Sequence, residues 1–180
     1  MITPERFVSE WGPDGLVRSS PNAFNKTRIP EASSEFLVKA GLPDETILQL
    51  SFERPEDELP RLWDAFHDQY DLPPDYNRYL AIGVGYVPII CLDEKEEGSV
   101  YAVDVAGRNP ISFMNSSVPQ LAETLLAWRA AVEWAEQNEP EDEEAAEQAQ
   151  RLEHEIRRID SRAMADDSSF WQQALRDALI

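Results

Sequence analysis

Between residues 79 and 135 the spacing of apolar side chains changes from every second residue to every third or fourth. Leu80, Ile82, Val84 and Tyr86 alternate with the small residues Ala81, Gly83 and Gly85, which predicts a strand with something packed closely against its second side. Ile89 to Leu92, Val100 to Val105 and Ile111 to Met114 are further short apolar runs. They are separated by the charged turn Asp93 to Gly98 and by Ala106-Gly107-Arg108-Asn109-Pro110. Short strands joined by tight turns predict an antiparallel meander. Val118, Leu121, Leu125, Trp128, Val132 and Ala135 then recur at helical intervals behind a Ser117/Gln120 capping box, which predicts an amphipathic helix leaving the last strand.

The flanks are more uneven. Residues Met1 to Thr27 scatter Trp11, Leu16, Val17 and Phe24 among Gly, Pro, Ser and Asn, and read as an irregular or partly stranded lead-in. Pro30 starts a short helix with Phe36, Leu37 and Ala40 on its apolar face, and Gly41-Leu42-Pro43 stops it. Ile47 to Phe52 alternates like a first strand, Glu53 to Pro60 is an acidic, proline-broken loop, and Leu62, Trp63, Phe66 and Tyr70 form a turn or short helix that packs on the sheet and ends at Pro73-Pro74. Beyond a break at Asn138 to Asp142, a second helical face carries Ala145, Ala149, Leu152, Ile156 and Ile159. Asp166-Asp167-Ser168 caps a last helix with Phe170, Trp171, Ala174, Leu175 and Leu179. The expected fold is α+β: a mostly antiparallel sheet flanked by helices, with one domain over 1–138 and a helical extension over 139–180 packed on that domain or on a partner.

Charge narrows the function. The 180 residues hold 35 Asp and Glu against 16 Lys and Arg, a net charge of -19. That field repels nucleic acid and anionic lipid and speeds encounter with a basic protein, although charge that serves solubility alone is the bland competitor. No segment reads as a basic leader followed by an apolar run, and none as a membrane span, so a cytoplasmic location is expected.

No catalytic or metal-binding set emerges. Cys91 is the single cysteine and lies between Ile90 and Leu92, as a small buried side chain would. His67 has Asp64 and Asp71 at helical spacing, the arrangement of a solvated helix face. His154, between Glu153 and Glu155, has Arg151 where a bundle metal site would need Glu. Gly83-Val84-Gly85 lacks the third glycine and lysine of a phosphate loop, Ser116 and Ser117 lack a nucleophile-elbow context, and Asp93, Glu94, Glu96 and Glu97 lack calcium-loop spacing. The expectation is a protein that is not an enzyme and uses no cofactor or metal. A hydrolase built on His67 is the remote alternative.

Ile90-Cys91-Leu92-Asp93, Gly98, Val100, Val103-Asp104 and Phe113-Met114-Asn115-Ser116-Ser117, in that order before the apolar helix, resemble the SUKH superfamily, most nearly its fourth subfamily of bacterial immunity proteins. Phe36-Leu37 through Gly41-Leu42-Pro43 is similar to that group's early helix and turn, so the resemblance spans roughly Ile29 to Trp134, and the helices from Glu141 onward extend beyond it. The resemblance implies an α+β domain that binds and neutralises a cognate toxin, often a nuclease, with Asn115 and Ser117 serving structure. Candidate contacts to a basic toxin are Glu53, Glu56, Asp57 and Glu58 in one loop and Asp93, Glu94, Glu96 and Glu97 at the hairpin tip. The alternative is a non-enzymatic scaffold or regulatory adaptor of the same fold, whose tail residues Trp171, Leu175 and Leu179 bind a partner or a second copy as a homodimer.

Overall fold

The computed structural model describes residues 1–46, 48–52, 57–85, 88–107 and 111–178. The lead-in begins not as irregular chain but as helix α1 (Pro4–Trp11), with Thr3 Oγ1 accepting the Arg6 N–H at 3.3 Å and Pro4 in the first turn. Its apolar side is small but decisive, because Phe7 is fully buried against the ring of Phe36. The stranded part is β1 (Leu16–Val17), paired antiparallel with β2 (Leu42–Pro43) after helix α2 (Glu31–Lys39). Gly41 makes that pairing possible: its φ is 77°, and a Cβ there would lie 2.2 Å from the Val17 carbonyl oxygen.

The main sheet follows the expected meander. Strands β3 (Leu50–Phe52), β4 (Tyr79–Gly85), β5 (Ile89–Asp93), β6 (Ser99–Val103) and β7 (Ile111–Asn115) lie side by side in chain order, all antiparallel. Ile47 and Tyr86, expected in strands, lie outside the described residues. A bulge between Ala81 and Gly83 shifts the β4–β5 register, and Gly83 lets β3 come close, since a Cβ would sit 2.5 Å from the Ser51 carbonyl oxygen.

Period-two alternation gives the sheet two unequal apolar faces. On the inner face Leu80, Ile82, Ile90, Leu92, Val100 and Met114 meet Phe7, Phe36 and the helix α4 (Val118–Asn138), which contributes Leu121, Leu125 and Trp128. On the outer face Tyr79, Ala81, Ile89, Cys91 and Val103 are covered by Leu62 and Phe66 of α3 (Leu62–Phe66) and by Tyr76 in the 3₁₀ turn Pro74–Arg78.

The C-terminal segment belongs to the inner core. Helix α5 (Asp142–Ile159) has acids in its first turn and Arg157 and Arg158 in its last, complementing the helix dipole, and buries Leu152 and Ile156 against the domain. Asp160 accepts from the Ser116 hydroxyl at 3.1 Å, and Gln120 Nε2 donates to the Ile159 carbonyl at 3.1 Å. Helix α6 (Phe170–Ala178) then places Trp171, fully buried, with its indole N–H donating to both the Met114 carbonyl and Asn115 Oδ1 at 3.1 Å. Asn115 Nδ2 donates in turn to Thr124 Oγ1 at 3.2 Å. Trp171 and Leu175 are thus used inside their own chain, whereas Leu179 lies outside the described residues. Among the described residues no helix is long and apolar enough to cross a membrane.

Replacing Trp171 with Ala is expected to destabilise the fold by about 3–5 kcal/mol, because it opens a cavity and leaves Asn115 short of a donor. Urea unfolding followed by tryptophan fluorescence measures this. A chain ending at Asn138 should likewise show non-native tertiary packing by near-ultraviolet circular dichroism, not a well-folded monomer.

Candidate partner-binding surface

The β5–β6 turn is closed by backbone geometry and by one carboxylate. Glu97 and Gly98 both take positive φ, 52° and 74°, and the Gly98 N–H donates to the Asp93 carbonyl at 2.9 Å. Asp93 Oδ1 accepts the Lys95 N–H at 2.8 Å, and Arg78 grips both carboxylate oxygens, Nε reaching Oδ1 at 2.7 Å. Asp93 is fully buried and so presents nothing to a partner; it organises the tip. Its hydrogen bond pushes the Arg78 guanidinium above its ordinary pKa, against the opposing effect of burial.

The other predicted contacts divide by exposure. Glu94 is mostly covered, accepting Arg61 Nη1 at 2.6 Å and the Arg28 N–H at 2.9 Å, so it ties the tip to the start of α3. Glu96 is half exposed and accepts the Tyr101 hydroxyl at 2.7 Å, with Arg162 3.6 Å away. Glu97 is exposed and forms no ion pair among the described residues. Asp57 and Glu58 are exposed, and Glu58 pairs with Lys26, which holds its carboxyl below the usual range. Glu53 and Glu56 lie outside the described residues. The densest run of exposed acids without ion pairs among the described residues is elsewhere, at Glu141 to Glu144, the N-cap and first turn of α5 after the α4–α5 turn.

Beside the tip runs a row of aromatic rings that the sequence reading did not anticipate. Tyr76, Tyr79, Tyr101 and Phe113 meet edge to face at centroid separations of 5.7, 5.9 and 5.4 Å, and Arg162 lies 4.5 Å over the Phe113 ring. Strand pairing brings Tyr79, Tyr101 and Phe113 together and the 3₁₀ turn adds Tyr76, so no linear motif could have found the row. Burial pushes the Tyr79 hydroxyl up to about 12, with the nearby Arg78 charge opposing. Burial followed by the Glu96 hydrogen bond raises that of Tyr101.

The remaining chemistry is quiet. The His67 ring stacks on Trp63 at 4.0 Å with Nδ1 2.8 Å from the Trp63 carbonyl oxygen, and Asp64 and Asp71 are exposed. His154 is exposed, and no cluster of metal-ligating side chains occurs among the described residues. Cys91 is fully buried, and desolvation pushes its thiol far up. A furrow of about 600 Å³ between α1, α4 and α5 has Leu126, Ala131 and Trp134 on its floor. Its rim pairs Arg6 with Glu10 and Arg158 with Glu155, so its charges are balanced.

The family model described as SUKH-4 immunity protein matches residues 2–177, a span that includes α5 and α6. No curated protein and no solved structure matches the chain.

Removing the Arg78 side chain leaves a buried carboxylate uncompensated, so Arg78→Ala is expected to lower stability by about 3–5 kcal/mol, and Arg78→Ala with Asp93→Asn by less. Chemical unfolding of both variants checks this. Because the folded Tyr79 pKa lies above its unfolded value of about 10, its contribution is complete below that pH and is lost as pH rises toward about 12. The unfolding midpoint should therefore fall with alkalinity in that window, and fall less in Tyr79→Phe.

Proposed function

Since the chain belongs to the SUKH-4 immunity protein family, we propose that it neutralises one cognate bacterial toxin by binding it through an acidic surface, without turning over any substrate. The family match across nearly the whole chain carries this reading. The net charge of -19 supports the choice of partner: a toxin with a basic surface, such as a nuclease that grips phosphate, is drawn to carboxylates and blocked by them. Of the candidate contacts, Asp57, Glu58, Glu96 and Glu97 reach solvent and are available for this, and Glu53 and Glu56 lie outside the described residues. Asp93 and Glu94 act one step back by holding the hairpin. The acids of the α4–α5 turn add to the long-range field whatever the docking face.

The test is co-expression with the toxin encoded beside this gene, followed by stopped-flow association of the purified pair. The wild type should rescue growth, and combined Asp57→Lys and Glu97→Lys changes should slow association by about tenfold or more, with a weaker salt dependence. Failure to bind the toxin would overturn the proposal, and association indifferent to salt and to charge reversal would remove its electrostatic part.

A further inference from the structure

Resting on that reading, we infer that the outer face of the β6–β7 end of the sheet is the apolar centre of the toxin interface. It takes a toxin surface that presents an arginine or lysine flanked by apolar side chains.

The two faces of the sheet are covered unequally, and the cover on the outer face thins toward β7. Around Tyr79 and Cys91 that face is sealed by Leu62 and Phe66. Tyr101 and Phe113 are only partly buried, and Ile111 is 37% exposed. Apart from Met1, Ile111 is the large apolar side chain most open to solvent among the described residues. The pairings Tyr101 with Phe113 and Val103 with Ile111 put these side chains on one face, and β7 is the terminal strand of the sheet. Solvent-facing aliphatic and aromatic groups side by side on an otherwise highly charged surface mark a contact site.

Charge and rigidity specify the occupant. Glu96 stands at the rim of this patch, accepting the Tyr101 hydroxyl, and the chain's own Arg162 already shows the chemistry, stacking on Phe113 within 3.6 Å of Glu96. An incoming cation takes up this pairing of a ring face with a carboxylate by displacing Arg162, whose exposed guanidinium holds it in the free chain. The edge-to-face row and the hydrogen bond from Tyr101 to Glu96 hold the rings in place, so little side-chain freedom is lost on docking. The furrow between α1, α4 and α5 offers no such ring row; its apolar floor lies behind a rim of paired arginines and glutamates.

Calorimetry and surface kinetics with the catalytically disabled neighbouring toxin decide the matter. Ile111→Asp, at an exposed position, should weaken binding by about tenfold or more through faster dissociation, whereas Ala130→Glu in the furrow should leave affinity unchanged. Tyr101→Ala should weaken it further. Should that variant lose its fold by circular dichroism, amide exchange in the wild-type complex replaces it, with added protection at 101–103 and 111–113 expected. Tight wild-type binding that Ile111→Asp does not alter, or a complex without that protection, overturns the interface and leaves the toxin-binding role intact. No binding by the wild type removes both.

Discussion

The indole N–H of Trp171 binds the open side of the last strand to the end of the chain. Strand β7 has a neighbour on one side only, and an unpaired edge carbonyl in an apolar setting is destabilising unless a donor reaches it. Trp171 supplies that donor to Met114, touches Asn115 with the same hydrogen, and fills the space beside Trp128 with its ring at 5.6 Å. Because Asn115 also reaches Thr124, one residue type at each of three positions locks the sheet, α4 and α6 into a single packed unit. The helices after Asn138 are therefore components of the core, and the outer face of the sheet is left to lighter cover.

That asymmetry concentrates stability on one face of the sheet. The inner face holds the long apolar side chains and the helices that shield them, so its residues answer to packing. The outer face is shielded by α3 and one 3₁₀ turn, and near β7 by Arg162 over Phe113, so its exposed residues can vary without dismantling the fold. A protein of the immunity family gains from such a division, since exposed residues can vary on a scaffold fixed elsewhere.

Much of the architecture was readable as sequence because it is local. Period-two runs gave the meander, the Ser117 cap and three-four spacing gave α4, and Gly41 gave the end of α2. Helix α1 was obscured by its surroundings: Thr3-Pro4-Glu5 is a sound start, but Phe7 and Trp11 alone make a weak stripe within a stretch rich in Gly, Pro and Ser. The surface was legible only in part. A count of acids cannot tell Asp93, which is sealed under Arg78, from Glu97, which stands in solvent, because pairing across distant segments decides exposure. The aromatic row was invisible for the same reason, since Tyr79, Tyr101 and Phe113 lie on different strands and meet only through the fold of the sheet.

The burial of Cys91 has a practical consequence for the whole molecule. A lone thiol shielded on both sides by apolar neighbours stays protonated and out of reach, so alkylating reagents and thiol exchange find no purchase on it in the folded chain. The native protein is therefore silent toward thiol reagents, and any cysteine introduced on its surface becomes a unique thiol handle for as long as the sheet stays folded.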